Sequence, residues 1–176
     1  MATVWQIDPA HTTAEFSVRH MMISNVRGRF GKVEGTVTGD LSDPTQAQIE
    51  AKIDAASIDT RNEQRDQHLR SADFFDVEHH PYITFKSRRI ERVGDNAFKV
   101  VGDLTIRGVT REVVLDAIFQ GQAKSPWGQQ VAGFSATTKL NRKDFGLTWN
   151  TVLETGGVLV GDEVNVEIQT ELIQQA

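Results

Sequence analysis

Apolar and polar residues alternate with a period of two through most of this chain of 176 residues. In a strand, successive side chains point to opposite faces, so this alternation predicts half-buried strands. The first clear inward-facing row is Ala14, Phe16, Val18 and His20. About eight such stretches, regularly spaced and joined by short turns, predict an antiparallel sandwich or barrel.

The alternation changes phase near Gly31 and Lys32. Before this point the apolar side of the pattern falls on even positions, and after it on odd positions. Val26, Gly28 and Phe30 precede the phase change, and Val33 and Val37 follow it. A phase change at a glycine within a long strand predicts a bulge or a sharp bend, which curved sheets need.

One stretch, residues 57–81, has the pattern of a helix. Thr60, followed three residues later by Glu63, forms a predicted capping box, and a helix is expected over about residues 61–72. The predicted helix is almost entirely polar, so it has no apolar stripe of its own to bury. Because Phe74 and Phe75 follow it directly, we interpret the stretch as a polar lid joined to an aromatic plug at the mouth of a hollow structure.

Composition limits the possible partners. The net charge of −5 argues against nucleic acid or an anionic membrane surface as the main partner, and the lack of cysteine excludes disulfides and thiolate metal sites. No apolar run approaches the ~18 residues of a membrane span. The start of the chain lacks the features of a secretory leader, which predicts a soluble cytoplasmic protein, or a periplasmic one if the chain is a processed form. The length fits a single domain over residues 1–176.

The inward-facing rows mix small residues with phenylalanines. The small residues include Ala14, Gly28, Ala51, Gly102, Ala132 and Ala136, and the large ones include Phe16, Phe30, Phe85 and Phe134. A packed barrel alternates small and large side chains in this way. A barrel of about eight strands that encloses one small ligand does so too. The pattern alone does not distinguish a packed interior from one that encloses a ligand.

Motifs for catalysis are missing. Ser135 lies in GFSAT, which begins like a nucleophile elbow but lacks the closing glycine and falls within a strand. The five histidines show no H-x-x-x-H or H-x-H spacing. We therefore predict no catalytic residue, no metal and no cofactor. Two alternatives stay open: an enzyme acting on a lipid or quinone-like substrate with His20 or His68 as base, and a filled barrel acting as a stress-related structural module.

Nine short blocks, in order along the chain, resemble a known family. They are DPAH (8–11), FSVRH (16–20), VRGRF (26–30), SIDT (57–60), RDQHL (65–69), DFFDV (73–77), PYITF (81–85), GDLTIRGVT (102–110) and NRKDFG (141–146). The chain resembles the YceI-like family from Asp8 to about Leu172. The resemblance implies a lipocalin-like, extended eight-stranded antiparallel β-barrel, with a long apolar pocket that binds polyisoprenoid or similar amphiphilic lipids. Many relatives are periplasmic.

The resemblance and the alternation together select candidate ligand contacts. Expected tail contacts are Phe16, Val18, Phe30, Ile53, Phe85, Leu104 and Phe134, each with ordinary core as the alternative. Phe74 and Phe75 are expected to close the pocket and Trp149 to line its mouth, or else to form a small surface-sealing core. His20 is expected to be a hydrogen-bonding pocket residue, with a satisfied core histidine as the alternative.

A polar head of the ligand needs contacts of a different kind. Arg61, Arg65 and His68 fall at positions i, i+4 and i+7 of the predicted helix, where they would form a row for a phosphate or other polar head. In the alternative, Arg65 and Asp66 tie the lid to the barrel rim. The expected partner is a polyisoprenoid or fatty-acid-like lipid, with no nucleic acid and with a homodimer left open.

Overall fold

The structure, a computed structural model, describes residues 3–150 and 159–175. Within these ranges the chain forms eleven strands and one α-helix. The elements are β1 (Val4–Ile7), β2 (Thr13–His20), β3 (Ser24–Phe30), β4 (Val33–Thr38), β5 (Gln48–Asp54), β6 (Ile58–Asp59), α1 (Glu63–Arg70), β7 (Tyr82–Arg92), β8 (Ala97–Ile106), β9 (Val109–Lys124), β10 (Gln130–Asn141) and β11 (Val160–Gln174).

The strands form a closed antiparallel barrel with eight strand positions, and we call each position a wall. Neighbouring strands pair in the order β1-β4-β5-β7-β8-β9-β10-β11, and β11 pairs back onto β1 to close the ring. Strand β11 also pairs with β2 over its first part, so β1 and β2 are two parts of one interrupted wall. Strands β3 and β4 form a second interrupted wall. The eight-stranded barrel expected from the sequence is confirmed.

The predicted bend near Gly31 is present. Strand β3 ends at Phe30 and β4 begins at Val33, after which the wall leaves its β2 neighbour and pairs with β1. The two residues between the strands are held by Ser57, whose carbonyl accepts from the Gly31 N–H and whose hydroxyl accepts from the Lys32 N–H. The phase change therefore marks the point at which this wall stops pairing with β2 and starts pairing with β1.

The segment between β5 and β7, residues 55–81, crosses one end of the barrel. Its short strand β6 pairs with only the last two residues of β3, so in the described part of the chain residues 24–28 have no strand partner on that edge. At its other side the segment is bound by the β8–β9 turn, where the Arg107 guanidinium donates to the Ala72 carbonyl over 2.7 Å. This segment takes the place of a continuous strand wall at that end.

Helix α1 is shorter than predicted and is capped differently. It covers eight residues, Glu63–Arg70, and its N-cap is Asn62, whose side chain accepts from the Arg65 N–H. The predicted Thr60–Glu63 capping box was wrong. The Thr60 hydroxyl and backbone N–H both donate to the buried Asp66 carboxylate, which satisfies these groups better than an exposed helix end would. Eight residues are also too few to cross a bilayer, and no helix in the described ranges is long and apolar enough to do so.

The barrel interior contains two buried clusters, one at each end. The closed end is the cluster that includes Trp5, Val37, Phe98, Ala132 and Leu172. The plug end is the cluster that includes Phe30, Ile58, Phe74, Phe145 and Leu147. Individual strands run from one to the other: β7 contributes Ile90 to the closed end and Ile83 to the plug end, and β8 contributes Phe98 and Ile106 in the same way.

Candidate functional site

An elongated cavity of about 310 Å³ lies between the two clusters. Strands β1 to β5 and β7 to β11 all contribute side chains to it, and the atoms that face it are almost entirely carbon. Its volume is at the lower end of the range for small-molecule sites, roughly 300–1,000 Å³. Of the two interiors that the sequence pattern allowed, packed or enclosing a cavity, the structure has the second.

Exposure of the inward-facing side chains supports this description. Phe16, Phe85, Leu104 and Phe134 all point into the barrel and line the cavity, yet each is only partly buried. At the closed end Phe98 also lines the cavity but is only 4% exposed, so it is packed more closely than these four. Apolar side chains beside an empty volume lose dispersion contacts on that side, so an apolar guest would be stabilised there.

Two glycines let aromatic rings lie along the wall of the cavity. Phe16 is directly opposite Gly28 on the neighbouring strand, and a Cβ atom at Gly28 would lie 2.8 Å from the Phe16 Cε1 atom. Phe85 covers Gly102 in the same way, with its Cζ atom 2.5 Å from where a Cβ would be. Each ring occupies the place that a side chain would take, so both rings cover the wall and leave the lumen free.

The plug end is closed by aromatic side chains from residues 55–81 and from the chain after β10. Phe75 packs edge-on against Phe30, with ring centroids 5.7 Å apart, and both rings line the cavity. Phe74 also lines the cavity and packs against Trp149 at 5.5 Å. The His68 ring stands edge-on to Trp149 at 4.6 Å. The predicted aromatic plug is therefore in contact with the cavity.

Hydrogen bonds to backbone carbonyls hold the plug segment in place. The Arg65 guanidinium donates to the Thr60 carbonyl over 2.6 Å and to the Thr60 hydroxyl over 2.7 Å. Arg70 donates to the carbonyls of Ala56 and Ile58. Arg107 joins this segment to the turn after β10, because it binds the Gly146 carbonyl as well as that of Ala72.

A buried arginine lies beside the cavity. Arg142 is 4% exposed, and its guanidinium donates to the backbone carbonyls of Leu147, Trp149, Val160 and Gly161. Burial lowers the pKa of this guanidinium, and the nearby Asp162 carboxylate opposes that shift. An arginine stays protonated in proteins, so Arg142 is a fixed cation that organises the backbone at the plug end. Arg142 lies within the NRKDFG block of the sequence, where no local pattern indicates this role.

Nine of the eleven predicted lipid contacts line the cavity. They are Phe16, Val18, Phe30, Ile53, Phe74, Phe75, Phe85, Leu104 and Phe134. The other two, His20 and Trp149, are not among the described residues that line it. His20 ends β2 opposite Val160 and Ser24, and Trp149 lies behind Phe74. Contact of any of the eleven with a lipid stays a prediction.

The predicted row of head-group residues does not form on the helix. Arg61 precedes α1 and has a left-handed backbone, with φ of 64°. The Arg65 guanidinium is bound to Thr60, as the alternative for this residue anticipated, although its link is to residue 60 rather than to the rim itself. His68 hydrogen-bonds the Asp73 carboxylate over 2.8 Å. Arg61 is outside the row because the helix begins two residues later than its sequence pattern indicated, whereas Arg65 and His68 both lie on the helix. Contact of these three residues with a polar head stays a prediction.

One group of a histidine and two carboxylates comes together in the described part of the chain. His11 Nδ1 lies 2.7 Å from Asp8 Oδ2 and 3.6 Å from Glu171 Oε2. The hydrogen bond to Asp8, with a smaller contribution from the charge of Glu171, raises the pKa of His11. The Asp8 N–H also donates to the Glu171 carbonyl, so this group joins the start of the chain to β11.

Comparison with known proteins gives consistent results in sequence and structure. A family model described as the YceI-like domain matches residues 5–172. A UPF0312 protein of Staphylococcus epidermidis is 42% identical over 170 residues, covering 96% of each chain. A UPF0312 protein of Staphylococcus aureus is 41% identical with the same coverage.

Three solved structures share the barrel. The YceI protein of Campylobacter jejuni is 32% identical, with a TM-score of 0.76 and coverage of 89% of this chain and 90% of that one. BcnA of Burkholderia cenocepacia shares the fold at 24% identity, with a TM-score of 0.82 and coverage of 94% and 98%. A polyisoprenoid binding domain from Saccharophagus degradans, implicated in plant cell wall breakdown, shares it at 14% identity, with a TM-score of 0.74 and coverage of 97% and 98%. The chain belongs to the YceI-like family.

Proposed function

We propose that this protein binds a long-chain polyisoprenoid or a similar amphiphilic lipid in the barrel cavity, as a carrier, store or sequestering protein, and performs no chemistry on it. The observation that carries the proposal is the apolar lining of an elongated cavity that runs between the two end clusters. The polyisoprenoid binding described for the Saccharophagus degradans domain, which has the same fold, agrees with this ligand class.

The energetics are sufficient for a lipid held mainly by its tail. Removing hydrocarbon from water contributes about 0.8 kcal/mol per carbon, so a tail of about 20 carbons gains roughly 16 kcal/mol when fully buried. Association and ordering of the tail cost about 4–15 kcal/mol. The difference is about 1–12 kcal/mol, so burial of the tail alone favours binding, and how tight the binding is depends on how much of the tail the cavity covers. A lining with almost no polar atoms fits recognition through the tail.

The plug end is the proposed entrance. Phe74 and Phe75 would contact the bound tail and move with their segment when lipid enters or leaves. His68 is the proposed head-group contact nearest to them, because its ring is 5.1 Å from that of Phe74. Arg65 would act indirectly, through its bonds to Thr60, and Arg61 would meet only a head that extends into solvent.

The two alternatives from the sequence are less well supported. A barrel filled by its own side chains does not fit a cavity of about 310 Å³. An enzyme would need a base facing the substrate, whereas neither His20 nor His68 is among the described residues that line the cavity. Binding without chemistry is thus the proposal that uses the cavity as it stands.

Titration of delipidated protein with a prenyl alcohol tests this proposal. A ligand that binds only the folded state raises the melting temperature by mass action, so the temperature should rise with prenyl concentration. Phe134→Trp enlarges a side chain inside the cavity, and Ile118→Trp makes a matched change on the outer face of the adjacent strand, where Ile118 is 49% exposed. Phe134→Trp should weaken prenyl binding at least about tenfold, and Ile118→Trp should not change it. No rise in melting temperature for the parent protein would refute the proposal, as would equal affinities of the two variants.

A further inference from the structure

The turn between β2 and β3 presents three consecutive apolar side chains to solvent. Met21 is 41% exposed, Met22 57% and Ile23 76%. Single exposed apolar residues are ordinary on a protein surface, but a contiguous exposed group often marks a site of interaction. We call these three residues the hairpin tip.

The backbone holds the hairpin tip outward. Met21 and Met22 have φ values of 52° and 63°, a left-handed conformation that is uncommon for residues other than glycine. The Met21 N–H donates to the Leu159 carbonyl, and the Arg19 guanidinium donates to the Met22 carbonyl. These bonds keep the methionines in a conformation that glycine would adopt at lower cost. Exposed methionines at this turn therefore indicate a role for their apolar side chains.

The hairpin tip lies at the plug end of the barrel. His20, the residue before the tip, is opposite Val160 at the start of β11, and Val160 lines the cavity and packs against the plug-end cluster. Trp127, which at 84% is the most exposed large apolar side chain in the described ranges, is in the turn between β9 and β10. That turn lies directly before Val131, which pairs with Ile173 near the far end of β11. The length of β11 between Val160 and Ile173, about 40 Å, therefore separates the two turns.

Positive charge is concentrated on the same hairpin. Between Glu15 and Glu34 the sequence has no acidic residue, although the whole chain has a net charge of −5. The basic residues in this interval are Arg19, Arg27, Arg29 and Lys32, all exposed. Arg19 and Arg27 lie nearest the hairpin tip, whereas Arg29 is 3.9 Å from the Asp59 carboxylate and opposite Glu15, and Lys32 follows the end of β3. Two acidic residues on the adjacent part of β11 already face cations: Asp162 lies 3.4 Å from Lys143, and Glu163 lies 3.7 Å from Lys139. An exposed apolar tip on a basic hairpin is complementary to an anionic lipid surface.

We propose that the β2–β3 hairpin docks the plug end of the barrel on an anionic bilayer, with the hairpin tip among the lipid head groups. The inference rests on the proposed function, because it gives the route by which a lipid tail passes between a bilayer and the cavity without crossing water. The net charge of −5 argues against attraction of the whole chain to an anionic surface, so the docking depends on charge close to the hairpin tip. Charges farther away than the Debye length, about 8 Å at physiological ionic strength, are largely screened, so the cations nearest the tip, Arg19 and Arg27, contribute most to the attraction.

Flotation with lipid vesicles tests the docking directly. The full-length protein should bind vesicles of phosphatidylcholine and phosphatidylglycerol, bind pure phosphatidylcholine more weakly, and lose the difference at high salt. Met22→Ser combined with Ile23→Ser should weaken binding at least about tenfold, because the inserted hydrocarbon is lost. Trp127→Ser, at the other end of the barrel, is the matched control and should bind like the parent.

A charge variant tests whether the basic residues of the hairpin contribute to vesicle binding. Arg27 is exposed on β3, so Arg27→Glu should leave the melting temperature unchanged while weakening binding to the anionic vesicles about tenfold or more. Lys124→Glu, at the end of β9 near Trp127, is its control and should have little effect. Parent-like binding of both the tip variant and Arg27→Glu would overturn the proposal. So would a change from dimer to monomer on tip substitution without any vesicle binding by the parent, since the tip would then be an interface between copies.

Uptake of a prenyl chain from two sources separates this inference from the proposed function. The tip variant should take up farnesol added from solution like the parent, but should extract a long prenyl alcohol from anionic vesicles more slowly. If the parent took up neither farnesol from solution nor the long prenyl alcohol from vesicles, the proposed function would fail. If the parent bound it and the tip variant extracted the long prenyl alcohol as fast as the parent, only the docking would fail.

Discussion

The two ends of the barrel are closed in different ways. At the closed end, β1 pairs with both β4 and β11, and the side chains beneath this ladder are packed, with Ala132 fully buried and Leu172 3% exposed. At the plug end, residues 55–81 replace a strand wall, and the closure depends on arginine bonds to carbonyls and on partly buried rings such as Phe75. Opening the first end requires breaking the sheet, whereas opening the second requires only local movement. We therefore expect the closed end to contribute more to stability, and the plug end to be the entrance that the proposed function requires.

The largest contrast should come from truncating one phenylalanine at each end. Phe98→Ala removes a closely packed ring at the closed end and should lower the free energy of unfolding by about 3–5 kcal/mol. Both rings line the cavity, but Phe75 is only partly buried, so Phe75→Ala should cost roughly half as much. Denaturant unfolding measures both. Equal losses would show that the two ends are packed alike and would contradict the comparison.

The same pair of variants should differ in the opposite sense in lipid exchange. Phe75→Ala removes part of the plug and should speed release of a bound prenyl chain, measured by stopped-flow transfer to acceptor vesicles. Phe98→Ala should change the release rate little at temperatures where it stays folded.

A methyl group at Gly28 should disturb both the wall and the cavity. Gly28→Ala places a Cβ where the Phe16 ring lies, also 2.8 Å from Thr60 Cγ2, and such overpacking costs about 1–3 kcal/mol. The ring can escape only toward the lumen, so prenyl affinity should fall as well. Adding Phe16→Leu should restore much of the stability, because the shorter side chain clears the new methyl. Destabilisation that Phe16→Leu does not relieve would show that the conflict is with Thr60 or the backbone.

Releasing the plug segment at Arg107 should have a smaller effect. Arg107 has φ of 52° in the two-residue β8–β9 turn, so Arg107→Asn keeps a residue that tolerates this backbone while removing the guanidinium. Loss of the bonds to Ala72 and Gly146 should lower the local opening free energy by about 1–3 kcal/mol. Hydrogen exchange should accelerate in residues 71–77 and stay unchanged in β1 and β10. Equal acceleration in both places would mean that Arg107 stabilises the whole barrel.

The smallest effect concerns the ion pair at His11, near the closed end. Its pKa is raised, chiefly by the hydrogen bond to Asp8, so protonated His11 stabilises the folded state. This contribution is complete below the ordinary histidine pKa and is lost as the pH rises through the raised value. A proton NMR titration should show the raised pKa, and Asp8→Asn should lower it while leaving His79 unchanged. A His11 titration unaffected by Asp8→Asn would contradict this account.

The fold could be predicted because its main signals are local. Period-two alternation specified the strands, and the change of phase at Gly31 specified the bend at which one wall changes neighbours. Closure by β1 and β11 depends on residues about 165 positions apart, and no local pattern indicates such a pairing. For closure the resemblance to the family supplied what the pattern lacked.

The candidate site could be predicted only in part. The parity of each strand placed residues such as Phe85 and Leu104 on the inward face, but the same parity occurs in a filled barrel. The hollow interior follows from which ring covers which glycine across strands, as Phe16 covers Gly28. The errors at Thr60 and in the head-group row arose because Thr60 binds the buried carboxylate of Asp66, six residues along the chain, instead of capping the helix, which begins at Glu63. Arg142 gave no signal, since its four partners are carbonyls whose positions depend on the folded turn.

The central claim is that the barrel is hollow in order to hold a lipid tail. Native mass spectrometry of the protein as isolated, before and after extraction with organic solvent, tests it most directly. We expect a mass excess that extraction removes and that matches a long-chain isoprenoid or similar lipid in the extract. Protein that carries only its own mass, and that gains no mass when long-chain prenyl lipid is supplied, would contradict it.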